Sequence, residues 1–176
     1  MTIYLIGYAG SGKSSLGRRL AHRLGVSFVD TDQRVECEEG ATIADIFYYQ
    51  GEKYFREAER RAIERVDTSD GDCVVATGGG LPTWSDNMEW MTAHGMTIYL
   101  RRSAENILGR LSAYGREKRP MFRGKSDAEL LAFMHEQMAQ REEYYAKAQL
   151  TVDCTAMSDA DALEYIVTQI TAQRNG

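Results

Sequence analysis

The chain is poor in the residues that announce disulfide or metal chemistry. Its 176 residues hold three cysteines and three histidines. Cys37, Cys73 and Cys154 form no CxxC pair and are odd in number, which excludes a disulfide framework and fits a reducing compartment. His22, His94 and His135 lack the spacing of metal ligands. No run of about 18 apolar residues occurs, so no membrane-spanning helix is expected. The first residues, Met1 to Ile6, carry no basic stretch before the apolar run, so the expectation is no secretory signal and a cytoplasmic location. Acidic residues outnumber basic ones, 26 to 21. A net charge of −5 gives the surface as a whole no attraction for nucleic acid or anionic membrane.

What is present is an ordinary globular composition, with 43% apolar and 10% aromatic residues, enough for one domain over residues 1–176 with a real core. Short apolar runs at Ile3 to Ile6, Val26 to Val29, Cys73 to Thr77, Met96 to Leu100 and Leu150 to Val152 read as five strands. Helical spacing separates them. Leu16, Leu20 and Leu24 make one stripe that Gly25 stops. Thr42 with Asp45, and Ser126 with Glu129, resemble capping boxes. A longer helix follows Gly51, one starts at Ser103, one runs from Ser126 to about Lys147, and a last one carries Leu163 to Ile170. Strands alternating with helices predict an α/β fold, a parallel sheet with helices on both faces. Ligands of such sheets bind beyond the carboxyl ends of the strands.

Beyond the first strand stands Gly7-Tyr8-Ala9-Gly10-Ser11-Gly12-Lys13-Ser14, the full GxxxxGK[ST] string opening a helix. Its glycines let backbone N–H groups surround phosphate oxygens, Lys13 reaches the β- and γ-phosphates, and the Ser14 hydroxyl is placed for Mg²⁺. The DxxG and [NT]KxD strings of a guanine-nucleotide switch occur nowhere in the chain.

The second strand ends Asp30-Thr31-Asp32. On an extended segment two carboxylates two apart face one side, where one can serve the metal's water shell and the other an attacking hydroxyl. A helix N-cap is the alternative. The third strand ends in Gly78-Gly79-Gly80, which offers bare backbone and close approach, with Thr77 just before it. Arg56 and Arg141 each stand beside an apolar stripe and need an anionic partner. A pair of such guanidiniums matches a carboxylate, and a local salt bridge such as Arg56 with Glu59 is the alternative. Residues 101–125 hold eight Lys or Arg against Glu105 and Glu117. That segment reads as a solvated basic loop, an RNA-binding strip, or a lid closing over ATP, with Arg119 stiffened by Pro120.

Together these strings resemble the shikimate kinase family. They are the Gly7–Ser14 loop, Asp30-Thr31-Asp32, Gly51-Glu52-Lys53-Tyr54-Phe55-Arg56-Glu57-Ala58-Glu59, Gly78-Gly79-Gly80, Arg119-Pro120 and Arg141-Glu142-Glu143-Tyr144, in the family's order over about residues 1–153. The resemblance implies a five-stranded parallel sheet of the nucleoside-monophosphate-kinase type, a substrate-binding subdomain over about 32–62 and a lid over about 111–125. It implies ATP as co-substrate, Mg²⁺, shikimate as acceptor, and a monomer without nucleic-acid or membrane partners. By it Asp32 holds or activates the accepting hydroxyl, and Arg56, Arg141 and the Gly78–Gly80 backbone bind the substrate between Phe47 and Phe55. Gly10, Ser11, Gly12, Lys13, Ser14 and Ser15 bind the nucleotide, Arg110 lies near the adenine, and Lys13 and Arg119 stabilise the transferring phosphoryl. Ser14 and, through water, Asp30 serve the metal. The chain departs from the pattern in carrying Met121-Phe122 after the lid proline, a longer segment between Arg110 and Arg119, and no arginine or proline after the last strand. A gluconate kinase of the same fold and a nucleotide-gated RNA-binding protein are the rival readings.

Overall fold

A computed structural model describes residues 1–66 and 71–175. The five apolar runs form strands β1 (Thr2–Ile6), β2 (Ser27–Asp30), β3 (Cys73–Ala76), β4 (Gly95–Arg101) and β5 (Leu150–Asp153). They lie in the order β2-β3-β1-β4-β5, and every neighbouring pair is parallel. The expected strands stand within a residue or so of their positions.

Period-two alternation assigns each strand residue to one of two cores. Tyr4 and Ile6 of β1, Val75 of β3 and Tyr99 of β4 join Met88, Met91, Leu130, Met134 and Tyr145 on one face. Ile3, Leu5, Val74, Ile98, Leu100 and Val152 join Leu16, Leu20, Ile166 and Ile170 on the other. This is a three-layer α/β/α arrangement.

The helices are α1 (Lys13–Leu24), α2 (Thr31–Glu39), α3 (Ile43–Glu64), α4 (Asn87–His94), α5 (Ala104–Arg110), α6 (Ala113–Glu117), α7 (Asp127–Tyr145) and α8 (Asp159–Asn175). α2, α4 and the five-residue α6 lie outside the expected helices. α2 buries only Thr31 and Val35, so it has no apolar stripe to read, and α4 is too short for one. α3 is broken at Gly51 (φ 82°, ψ 171°), where the sequence places the start of a second helix. Ser126 and Glu129 form a full capping box. At Thr42 the hydroxyl accepts from the Asp45 N–H and donates to the Asp45 carboxylate, half of that motif.

Register brings the site together. Leu5 of β1 and Asp30 of β2 both align with Ala76 of β3. The segments that follow, the Gly7 loop, Thr31-Asp32 and the Gly78–Gly80 turn, therefore leave the sheet at one level of one rim.

Candidate active site

The loop between β1 and α1 curls because Gly7, Gly10 and Gly12 take positive φ of 143°, 82° and 98°. Lys13 is buried and donates to the Gly7 and Tyr8 carbonyls, both at 2.8 Å. Burial pushes its ammonium down to about 8, against the pull of Asp32 and Asp30. An incoming polyphosphate would push it back up. The Ser11 hydroxyl is buried without a hydrogen-bond partner among the described residues, a polar atom left for a ligand oxygen to satisfy. Ser15 is exposed on the first turn of α1.

The two aspartates do not share one extended segment, as their spacing predicted. Asp30 ends β2 and caps α2, accepting from the Asp32 and Gln33 N–H groups, while Asp32 sits in the first helical turn. The N-cap alternative thus holds for Asp30, which keeps its other oxygen on the Ser14 hydroxyl at 2.6 Å. These hard oxygens suit a hard cation such as Mg²⁺. Thr77 donates its hydroxyl to the Leu5 carbonyl at 3.2 Å. Asp32 points its carboxylate at Gly78. Burial, with Asp30 adding to it, pushes its carboxyl up to about 6.

The glycine turn works through the side chains it lacks. A Cβ on Gly78 would lie 2.3 Å from Glu59 Oε1 and 2.6 Å from Asp32 Oδ1. One on Gly80 would meet the Arg56 guanidinium at 2.5–2.7 Å, and one on Gly79 would be 3.4 Å from Arg141 Nη1. Asp32, Glu59 and Arg56 therefore occupy space that only glycine leaves open at Gly78 and Gly80, and Arg141 lies within contact range of Gly79. The Gly78 N–H is not free: it donates to Thr31 Oγ1 at 2.8 Å. Tyr145 fixes the turn by donating to the Gly79 carbonyl at 2.6 Å.

Arg56 makes the local salt bridge the sequence left open, to Glu59 at 2.6 Å. Glu59 is 1% exposed, and burial pushes its carboxyl up to about 7 despite Arg56. Sequence reasoning had it only as that partner. Its place four residues after Phe55, in the stripe Phe55-Ala58-Ala62, was the signal that it is buried. Arg141 has no carboxylate within salt-bridge distance among the described residues, and its guanidinium lies 5.5 Å from the Tyr8 ring centre. Phe47 and Phe55 meet at 4.7 Å between ring centres, Phe55 buried and Phe47 over a third exposed.

On the other side of the cradle, Gly10, Ile107, Arg110, Leu111, Ser112, Gly115 and Arg119 line a cavity of about 210 Å³. Arg119 donates to the Gly115 carbonyl, and burial lowers its affinity for a proton while Asp32 opposes this. A larger hollow of about 340 Å³ flanks Arg18, Arg19, His22, Arg23 and Leu163, along the half of α1 remote from Lys13. The basic segment is not a free strip. Arg101 pairs with Asp153, Arg102 and Arg110 with Asp159, and Arg116 with Asp127. Arg123 and Lys125 donate to backbone carbonyls of their own segment.

A family model described as Shikimate kinase matches residues 9–173. A shikimate kinase of Persephonella marina is 40% identical over 96% of this chain and 98% of its own. The crystal structure of shikimate kinase from Bacteroides thetaiotaomicron superposes with a TM-score of 0.86 at 32% identity, covering 100% of this chain and 99% of that one. A shikimate kinase from Acinetobacter baumannii in complex with shikimate gives 0.85 at 32% identity, covering 98% and 93%.

Proposed function

This chain belongs to the shikimate kinase family, and from that premise we propose how its own residues carry out ATP-dependent phosphorylation of shikimate to shikimate 3-phosphate. The observation that carries the residue assignment is the convergence of Asp32, Arg56 and Arg141 on the glycine turn beside Lys13.

Arg56 and Arg141 take the substrate carboxylate. Arg141 has no acid of its own to neutralise it, and Glu59 holds Arg56 in place. The Gly79 and Gly80 backbone lets the ring lie close, and Phe47 and Phe55 wall it. Asp32, ionised above about pH 6, accepts the hydrogen bond of the attacking hydroxyl and orients it at the γ-phosphorus. As the O–P bond forms and the bond to ADP breaks, the hydroxyl proton passes to Asp32 or through it to water. Gly10, Ser11, Gly12 and Ser15 with Lys13 cradle the phosphates. Lys13 and Arg119 neutralise charge on the transferring phosphoryl. Ser14, and Asp30 through water, would hold Mg²⁺, which would supply charge neutralisation on the phosphates. Residues 32–62 form the acceptor-binding subdomain and 111–125 the lid. The chain works as a cytoplasmic monomer; no helix among the described residues is long and apolar enough to cross a membrane.

The test is ADP release from ATP and Mg²⁺ with shikimate, gluconate or no acceptor. Turnover with shikimate alone is expected. Turnover with gluconate would keep the phosphate site but overturn the acceptor assignment, and silence with both would overturn the mechanism as a whole.

A further inference from the structure

The loop from Cys154 to Ser158 brings no arginine or proline to the nucleotide side of the sheet. The residue that follows it, Asp159, opens α8 and does something else. One carboxylate oxygen accepts from Arg102 at 2.9 Å, and the other accepts from Arg110 at 2.7 Å. The two arginines differ in what else they hold. Arg102 is 4% exposed and also donates to the Ser11 carbonyl of the phosphate loop and to Asn106. Arg110 makes no other polar contact among the described residues, and it forms one wall of the 210 Å³ cavity beside Gly10. An exposed arginine with many rotamers makes a poor wall unless something fixes its plane. A carboxylate already anchored by buried Arg102 fixes it.

We propose that Asp159 is a positioning residue for the nucleotide base, holding the Arg110 guanidinium as a flat platform against which a purine stacks. The inference rests on the reading that this cavity takes the base of ATP. It gives the last helix a role in binding, one that the sequence did not signal.

The experiment uses the full chain with Asp159→Asn, Asp159→Glu, Arg110→Met, and the Asp159→Asn/Arg110→Met double variant. Asparagine keeps one acceptor but loses the charge that serves two guanidiniums. The expected result is an ATP KM raised roughly three- to ten-fold, with the shikimate KM moved less than about two-fold. Asp159→Glu recovers part of the loss. Asp159→Asn adds nothing once Arg110 is already methionine. Competition against ATP separates base from phosphate: ADP inhibition weakens in Asp159→Asn, whereas inhibition by inorganic tripolyphosphate, which has no base, holds. If Arg110→Met raises the ATP KM and Asp159→Asn does not, the positioning role is overturned and the base site stands. If Arg110→Met leaves the ATP KM alone, the base site itself is misplaced. A parallel rise in the shikimate KM, or equal weakening toward tripolyphosphate, would show a general loss of structure or of the phosphate loop and would also overturn the proposal.

Discussion

Single atoms decide the acceptor side. Gly80 has ordinary helical dihedrals (φ −88°, ψ −14°), so its backbone does not demand glycine. Its missing Cβ does, because Arg56 occupies that space. The obstructing atoms are the far end of a flexible side chain, so the backbone need not move, but a displaced Arg56 loosens its ion pair with buried Glu59. Gly80→Ala is therefore expected to lower the melting midpoint by about 2–4 °C for each kcal/mol of pairing lost, while its shikimate KM rises by roughly ten-fold or more, since a bidentate carboxylate contact is displaced. Steady-state kinetics beside a thermal melt check both halves. An unchanged KM would mean that Arg56 does not hold the acceptor. The three glycines were legible in the sequence as close approach of a ligand, but not as space vacated for Asp32, Glu59 and Arg56, because those neighbours come from other segments.

At the scale of elements, α3 shows how a helix is made to carry two walls of one pocket. Phe47 lies before the break at Gly51 and Phe55 after it, yet their rings meet in a tilted contact at 4.7 Å between centres. The break has φ 82° and ψ 171°, a region open to glycine almost alone, and a Cβ there would meet nothing within 4 Å. Gly51→Ala thus isolates a backbone cost. It should destabilise the protein by about 1–3 kcal/mol and lower the melting midpoint by about 2–4 °C for each kcal/mol. The shikimate KM should rise more than the ATP KM as the two phenylalanines part. A melt unaltered by the substitution would show that the break tolerates any residue. The first half of α3 was readable from Thr42 and Ile46 and the second from Phe55 to Val66. α2 was not, since a helix that buries two residues leaves no period in the sequence.

Across the whole molecule, stability and chemistry oppose each other at the carboxylate cluster. Asp32 and Glu59 are both raised, to about 6 and about 7, mainly by burial. A carboxyl whose folded pKa exceeds its unfolded value stabilises the fold when protonated. That contribution is full below about pH 4 and is lost as pH rises through about 6–7. At pH 8 the ligand-free protein carries both charges. Asp32→Asn removes one of them and is expected to raise the melting midpoint at pH 8 by about 2–4 °C, roughly 1 kcal/mol, with less gain at pH 5. The same variant should lose most turnover while ATP still binds. In the parent, kcat/KM for shikimate at saturating ATP should climb with pH and level off above about 6, as Asp32 ionises. A pH-independent rate between 5 and 7 would remove Asp32 from the proton's path, and an Asp32→Asn substitution that stabilises the protein no more at pH 8 than at pH 5 would show that Asp32 carries no raised pKa.

The sequence by itself determined the alternation of strands and helices, and hence a parallel sheet with two cores, because burial on both faces writes itself into local periodicity. It also determined the phosphate loop, whose parts are contiguous. It could not say that Asp30 rather than Asp32 would be the cap, that Glu59 would lie buried between Arg56 and Asp32, or that Asp159 would clamp two arginines about fifty residues away. These were decided by the order and register of the strands, which align Leu5, Ala76 and Asp30 at one rim. Electrostatic partners act through space over a few ångströms, whatever their separation along the chain, so only the folded chain chooses them.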